Sequence, residues 1–300
     1  MDLAIEGIIP AVHTAFDGRG VLDTEPLRRL VRRVAAEGVQ GVFLCGTSGE
    51  FPLLSLEERE RIVEAASDEL AGRAALLVHV GGSSTRDAVR LAKHAARAGA
   101  AAIASIPPPY YSYRREAVIE YFQEVASAAS LPFLYYHIPE RTGVALDEAF
   151  VERLMAVTHL QGMKFSHGDL SFAERIVKMA GQGFRLFCGS DELCLPSLER
   201  GAAGGIGSTY NFLAPLFLEM HRAFRKGRLP EAKDLQARAN RIIAALTPFP
   251  AIAAGKEAVR LAGIDLGPPR RPLERLTDEE KAALARDLAA AGWPPATSLP

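Results

Sequence analysis

Eight short apolar runs, separated by amphipathic stretches, constrain the fold of this chain more than any other feature. Each run is rich in Val, Ile, Leu, Phe or Tyr and is bounded by Gly, Pro or polar residues, as strands are. Continuous apolar runs of this kind are typical of parallel strands that are covered on both faces. The candidate strands are residues 7–12, 41–45, 75–80, 101–106, 132–138, 160–165, 184–188 and 204–209.

The stretches between these runs have the apolar periodicity and the end signals of helices. Eight strand–helix alternations with short connections predict an α/β fold of the (β/α)8 barrel type. A doubly wound sheet is the alternative, but no G-x-G-x-x-G turn follows the first strand. The predicted helix caps or first residues are Thr24, Ser55 with Glu58, Thr85, Asp147 and Asp169.

The strand pattern stops after about Arg225, and three helical stretches follow at 230–246, 249–263 and 277–291. The last of these begins with a capping box formed by Thr277 and Glu280. We therefore expect a catalytic barrel domain over residues 1–224 and a C-terminal helical segment over 225–300 that packs on the barrel.

Composition excludes several classes of function. The 300 residues carry a formal net charge of −1, so no overall basic field attracts nucleic acid or an anionic membrane. The three cysteines are too few for a disulfide framework and lack zinc-site spacing. The chain has no signal-peptide pattern and no apolar stretch approaching the ~20 residues of a membrane span. We expect a cytoplasmic protein that binds no metal.

Lys164 is the most informative residue near a strand end, where barrels of this type place their functional groups. It is one of only seven lysines and lies inside the apolar run 160–165. An ammonium group there is costly to desolvate, so the amine is expected to be held toward its neutral, nucleophilic form. Such an amine can attack a carbonyl and form an imine. A lysine that reaches to the barrel rim or pairs with a carboxylate is the alternative.

Other polar groups follow the neighbouring strands. The turn at 46–49 offers the Thr47 and Ser48 hydroxyls and several backbone N–H groups, which can bind a carboxylate. Alternatively, this turn leads into a helix and its hydroxyls bond only to the backbone. A tyrosine at the end of the fifth strand can transfer protons or can be a core aromatic. Asp191 and Glu192 can bind substrate hydroxyls, or can simply be charges at a helix N-terminus.

These residues, taken in order, resemble the dihydrodipicolinate synthase and N-acetylneuraminate lyase superfamily of class I pyruvate aldolases. The resemblance spans essentially the whole chain. It rests on five motifs: Gly-Thr-Ser-Gly-Glu at 46–50, Pro-Tyr-Tyr at 109–111, Tyr-His-Ile-Pro at 136–139, Gly-Met-Lys at 162–164 and Gly-Gly-Ile-Gly-Ser-Thr at 204–209.

The resemblance implies a role for each matching residue. Lys164 would form the imine with pyruvate, and Tyr136 would move protons to and from the reacting oxygen. Thr47 and Tyr111 would complete the hydroxyl relay, with Tyr111 supplied by a neighbouring subunit of a homotetramer built as a dimer of dimers. Ser48 would hold the pyruvate carboxylate. The Ile206 carbonyl would orient the lysine nitrogen, and no cofactor beyond the covalent imine is needed.

The residues around Lys164 divide between the branches of the superfamily. A polar set resembles the neuraminate lyases, in which it would bind a polyhydroxylated chain. Arg141 instead resembles the synthases, in which it would bind the carboxylate of an incoming aldehyde. A hydroxylated, sialic-acid-like 2-keto acid is the leading substrate. The alternatives are dihydrodipicolinate synthesis, a 2-keto-3-deoxy sugar-acid aldolase or dehydratase, and a ligand-binding barrel without activity. The polar set is Ser166, Gly189, Asp191, Glu192 and Ser208.

Overall fold

The computed structural model describes residues 3–293, and its centre is a closed ring of eight parallel strands. The sheet order is β1-β8-β7-β6-β5-β4-β3-β2. The ring closes between β1 and β2, where the Val12 N–H donates to the Phe43 carbonyl at 3.0 Å. The barrel prediction is thus confirmed and the doubly wound sheet is wrong, because that sheet would leave two open edges. The strands are β1 (Gly7–Pro10), β2 (Gly41–Leu44), β3 (Ala75–His79), β4 (Ala102–Ser105), β5 (Phe133–His137), β6 (Leu160–Phe165), β7 (Arg185–Cys188) and β8 (Gly204–Gly207).

Helices lie between the strands and continue beyond the last one. No helix within residues 3–293 is both long enough and apolar enough to cross a membrane. The helices are α1 (Thr24–Ala36), α2 (Leu56–Leu70), α3 (Thr85–Arg97), α4 (Arg115–Ser127), α5 (Pro139–Thr142), α6 (Glu148–Leu154), α7 (Leu170–Ala180), α8 (Cys194–Leu198), α9 (Tyr210–Arg225), α10 (Leu229–Ala244), α11 (Ala251–Leu261) and α12 (Asp278–Ala290).

The predicted helix starts are confirmed with one correction. Asp23, and not Thr24, caps α1, because its extended backbone lets its carboxylate accept the Glu25 N–H at 3.1 Å. The capping boxes of α2 and α12 are both present, and Asp147 and Asp169 cap α6 and α7. Several strands are shorter than predicted at their C-terminal ends, where the chain leaves the sheet to form the polar loops.

A one-residue irregularity sets the register between β5 and β6. Phe133 pairs with Leu160, but the next residue, Leu134, pairs with Gly162, so Gln161 is the extra residue of a bulge. Beyond the bulge, Tyr136 lies opposite Lys164. Without the bulge, pairing residue by residue from Phe133 and Leu160 would place Tyr136 opposite Met163. The bulge therefore brings the phenol and the amine to the same position along the barrel.

Two ion pairs attach the C-terminal segment to the loop and helix that follow β2. Lys256 on α11 contacts the Glu50 carboxylate at 2.7 Å, and both side chains are buried. Arg270, in the loop between α11 and α12, binds Glu58 with two hydrogen bonds of 2.7 and 2.6 Å. Residues 294–300 of the predicted segment 225–300 lie outside the described residues.

Candidate active site

Lys164 extends from β6 into the barrel interior, and its side chain is 4% exposed. Its Nζ lies 4.2 Å from the centroid of the Tyr136 ring and 4.8 Å from that of Phe43. No carboxylate within residues 3–293 lies at ion-pair distance from this amine. The side chain therefore neither reaches the rim nor pairs with an acid, which removes the two structural alternatives for Lys164.

Tyr136 provides a proton-transfer group beside the amine. Its hydroxyl lies 3.2 Å from the Thr47 Oγ1, so the two form a hydrogen bond. Burial alone would raise the pKa of Tyr136. The charge of Lys164 and the hydrogen bond with Thr47 outweigh burial, so the pKa is lowered from its ordinary value. A phenol with a lowered pKa exchanges protons near neutrality more readily than a free tyrosine does.

The turn after β2 has free backbone donors. The Glu50 N–H donates to the Thr47 carbonyl at 3.0 Å, which closes the turn. The Gly49 carbonyl accepts the Thr14 hydroxyl at 2.7 Å. Within the described chain, the Ser48 and Gly49 N–H groups have no hydrogen-bond partner. Two adjacent free N–H groups beside two hydroxyls can bind one carboxylate.

A single cavity of about 770 Å³ lies at the C-terminal ends of the strands and is lined by Lys164, Tyr136, Thr47 and Ser48. All of the predicted site residues except Tyr111 and Asp191 lie in its wall. The predicted residues that line it are Thr47, Ser48, Tyr136, Arg141, Lys164, Ser166, Gly189, Glu192, Ile206 and Ser208.

The outer wall of the cavity is polar. Gly189 packs against Ser166, and a Cβ at position 189 would lie only 1.9 Å from the serine hydroxyl. That hydroxyl has no hydrogen-bond partner in residues 3–293. Arg141 on α5 is exposed and forms no ion pair with any described residue. Arg141 is therefore available to a ligand, whereas the Ser166 hydroxyl is buried.

Asp191 is buried away from the cavity. One oxygen of its carboxylate accepts the Thr209 N–H at 2.8 Å and the Thr209 hydroxyl at 2.6 Å. Burial raises the pKa of Asp191 to about 6, against the lowering effect of these two bonds. A Cβ at Gly207 would lie 1.8 Å from the other carboxylate oxygen, so β8 needs glycine there. This placement bonds Asp191 to the turn after β8.

Tyr111 lies on the surface, 68% exposed, in the loop after β4. Its ring packs edge-to-face with Tyr110 and Tyr113, at centroid distances of 5.0 and 6.2 Å. The structure therefore does not bring Tyr111 to Tyr136 within one chain.

Four titratable side chains that line the cavity were not predicted as site residues: His13, Glu140, His167 and Glu274. His13 and His167 follow β1 and β6, so the rule that function lies after barrel strands could have selected them. Glu274 lies between α11 and α12, far along the chain from any strand, and had no such signal. Within the described part of the chain, no three His, Cys, Asp or Glu side chains are grouped to hold a metal ion.

Comparisons with known proteins identify the family. The model of the dihydrodipicolinate synthetase family matches residues 4–291. An N-acetylneuraminate lyase from Rhizobium meliloti is 36% identical over 298 residues, which cover 99% of each chain. A 4-hydroxy-tetrahydrodipicolinate synthase from Methanopyrus kandleri is 35% identical over 302 residues, which cover 98% of this chain and 99% of the relative.

A solved structure of another protein has a closely similar fold. The sialic acid aldolase of Ruminococcus gnavus, studied as a catalytic lysine mutant, superposes with a TM-score of 0.93 at 28% identity. The match covers 97% of this chain and 98% of that one. The chain belongs to the dihydrodipicolinate synthetase family, whose members are lyases that form a lysine Schiff base with pyruvate.

Proposed function

We propose that this enzyme cleaves or forms a carbon–carbon bond at C3 of pyruvate through an imine on Lys164, with a hydroxylated, sialic-acid-like 2-keto acid as substrate. The observation that carries the proposal is the burial of the Lys164 Nζ against Tyr136 in the wall of the cavity. A buried amine without an acidic partner is suited to attack a carbonyl.

Imine formation needs a group that moves protons at the reacting oxygen. The amine adds to the keto carbon, and the keto oxygen must leave as water after it takes up protons. Tyr136 would supply and recover these protons, and Thr47, whose hydroxyl bonds to the phenol, would hold it in position. The Ile206 carbonyl on β8 would orient the amine. In cleavage, the C4 hydroxyl gives up its proton and becomes the aldehyde carbonyl, while the protonated imine accepts the electron pair of the breaking C3–C4 bond. The resulting enamine is protonated at C3, and water then hydrolyses the imine to release pyruvate and the free amine.

The turn at Thr47–Ser48–Gly49 is the proposed site for the pyruvate carboxylate. Ser48 lines the cavity, its hydroxyl and the two N–H groups without a partner in the described chain are hydrogen-bond donors, and a carboxylate has four lone pairs to accept such donors. Binding at this turn would hold the keto carbon near Lys164, and orientation of this kind contributes strongly to rate. No metal or organic cofactor enters this chemistry.

The polar outer wall supports a hydroxylated substrate. The hydroxyls of Ser166 and Ser208 can donate hydrogen bonds to a chain of hydroxyl groups and accept them from it, and the Glu192 carboxylate can accept them. An N-acetylneuraminate lyase is among the relatives that match this chain from end to end. Gly189 contributes space beside Ser166, whereas Asp191 is not part of this wall.

Arg141 favours a second candidate, the condensation of pyruvate with an aldehyde that carries a carboxylate. Its unpaired guanidinium lines the cavity and can bind a carboxylate with two hydrogen bonds. A 4-hydroxy-tetrahydrodipicolinate synthase is also a full-length relative. Loss of a hydroxyl from a 2-keto-3-deoxy sugar acid would use the same imine without cleavage of a carbon–carbon bond.

The proposed assembly is a homotetramer in which Tyr111 completes a neighbour's site. Tyr111 is exposed within one chain, which supports a contact with a partner subunit. Within the chain we propose residues 1–224 as the catalytic domain and 225–300 as a helical segment packed on it. The start of α11 also lines the cavity, so this segment would contribute part of the wall.

Borohydride reduction in the presence of pyruvate tests the imine. The wild-type protein should gain one pyruvyl group on the peptide that contains Lys164, and Lys164→Ala should gain none. Lys178→Ala, which removes an exposed lysine on α7, is the matched control and should be labelled as the wild type is. An adduct that persists in Lys164→Ala would refute the proposal.

A substrate panel separates the candidates. Pyruvate release from N-acetylneuraminate and from 2-keto-3-deoxy acids is expected for the leading function. Consumption of pyruvate with aspartate semialdehyde would favour the synthase. Loss of water from a sugar acid without pyruvate release would favour the dehydratase.

A further inference from the structure

The proposed carboxylate-binding turn is held by the segment that follows β1. The His13 Nδ1 lies 3.1 Å from the Ser48 carbonyl oxygen, and the Thr14 hydroxyl donates to the next carbonyl, that of Gly49. Since a carbonyl oxygen only accepts, His13 must carry its proton on Nδ1. In a trans peptide the carbonyl and the following N–H point in opposite directions. Holding the Ser48 carbonyl therefore fixes the direction of the free Gly49 N–H.

His13 makes this bond as a neutral ring. The side chain is 1% exposed. Burial, followed by repulsion from Lys256, lowers the pKa of His13 to about 4, although the bond to Ser48 acts in the opposite direction. The imidazole is therefore uncharged at neutral pH, and Nδ1 is its one donor.

Helix α11 leaves room for the ring at a single residue. A Cβ at Gly255 would lie 2.7 Å from the His13 Nε2 and 2.9 Å from its Cε1. Glycine within a helix is less favourable than alanine. The contact with His13 gives a physical reason for a glycine at this position. The next residue, Lys256, binds Glu50 at the end of the same turn, so α11 supports the turn at two points.

We infer that His13 is a positioning residue, which sets the Ser48–Gly49 peptide so that its N–H meets the pyruvate carboxylate. The inference rests on the proposed function, because it assigns a role within the proposed pyruvate site. His13 increases the affinity for pyruvate. It does not take part in the later bond-breaking step, which depends on Lys164 and Tyr136. This division predicts which kinetic parameter changes when the bond is removed.

Two substitutions of similar size separate the donor from the bulk of the side chain. His13→Asn offers an amide N–H near the position of Nδ1, whereas His13→Leu has no donor. We expect His13→Leu to raise the pyruvate concentration for half-maximal borohydride trapping by about tenfold, equivalent to ~1.4 kcal/mol and within the range for one lost hydrogen bond. The kcat should change less than about threefold, and His13→Asn should recover most of the affinity.

Gly255→Ala tests the same contact from outside the cavity. The added methyl group should displace the ring from Ser48 and raise the half-saturating pyruvate concentration, even though alanine favours the helix. In a protein that already carries His13→Leu, Gly255→Ala should cause a smaller further increase, because the two changes act on one contact. Thermal unfolding of each variant shows whether loss of fold accounts for the change.

Equal affinities in His13→Asn and His13→Leu would overturn the inference, as would a loss of kcat with unchanged half-saturation. These results would leave the imine on Lys164 intact. If the wild-type protein formed no pyruvyl adduct, the proposed function would fail first, and the inference with it.

Discussion

Tyr136 and Lys164 are paired in register across β5 and β6, and the lysine Nζ lies 4.2 Å from the tyrosine ring centroid. Paired residues of adjacent parallel strands direct their side chains to the same face of the sheet. The two reactive groups are therefore positioned by the barrel itself and not by a mobile loop. Catalytic groups on rigid elements hold their geometry better than groups on loops do.

Replacement of Tyr136 by phenylalanine should separate imine formation from turnover. The variant keeps the ring beside Lys164 but loses the hydroxyl that exchanges protons with the reacting oxygen. We expect borohydride trapping of pyruvate to persist, because solvent water can supply the protons of imine formation slowly, while kcat falls by ~10²-fold or more. Steady-state kinetics and mass spectrometry of the trapped protein measure the two effects separately.

Tyr135→Phe is the control for this experiment. Tyr135 is the adjacent residue on β5, it is also buried, and burial raises the pKa of its hydroxyl. That hydroxyl has no hydrogen-bond partner among residues 3–293, so its removal should leave kcat within about twofold. A similar loss of kcat in both variants would show that Tyr136 acts through packing and not through its proton.

Asp191 should contribute a pH-dependent term to stability. Its pKa is raised from 3.8 to about 6 in the folded protein, so the folded state holds the proton more tightly than the unfolded state. The folded state thus disfavours the ionised carboxylate. Below about pH 3.8 the group is protonated in both states, so it does not lower the free energy of unfolding there. The cost grows as the pH rises from about 4 to about 6 and then stays at about 3 kcal/mol, the value for a shift of this size.

Asp191→Asn removes that titration and retains a carbonyl oxygen that can accept the two Thr209 bonds. The Tm of the variant minus that of the wild type should therefore increase between about pH 4 and pH 6.5 and be constant above it. A difference that does not depend on pH would contradict the raised pKa. A marked rise in the KM for a hydroxylated substrate would instead indicate that Asp191 reaches the ligand.

The barrel was predictable because its signals are local. Short apolar runs and capping residues mark the eight strands and most helix starts. The pairing of Tyr136 with Lys164 was not predictable in the same way, because it depends on a bulge at Gln161 that local sequence does not mark. Family resemblance selected both residues without giving their geometry.

Neighbouring residues of the same type are the hardest to separate by sequence. Asp191 and Glu192 are adjacent acids after one strand, yet only Glu192 lines the cavity. The burial of Asp191 follows from its contact with Thr209, which is 18 residues away and visible only in three dimensions. The proposed role of His13 likewise depends on its contact with Gly255, a residue far from it in the sequence.

Arg141 should control selectivity between substrates. Arg141→Met removes the guanidinium that lines the cavity, so an aldehyde with a carboxylate should lose about tenfold or more in kcat/KM. A substrate with only hydroxyl groups should change little. Arg141→Lys keeps the charge but loses the two-bond geometry, so it should recover part of the lost rate. Equal effects on both substrate classes would show that Arg141 does not bind the distal carboxylate.

Tyr111 should act in a neighbour's site, and mixing two inactive variants tests this. Lys164→Ala lacks the nucleophile, and Tyr111→Phe lacks the proposed relay hydroxyl. If Tyr111 is exchanged reciprocally within a dimer, a hybrid of the two variants contains one complete site, formed by Lys164 of one subunit and Tyr111 of the other. Random mixing gives half hybrids, so co-expression should restore about a quarter of wild-type activity. Tyr110→Phe, which changes the neighbouring exposed ring, should remain active alone. No recovery in the mixture, with hybrids verified by mass spectrometry, would show that Tyr111 does not complete a partner's site.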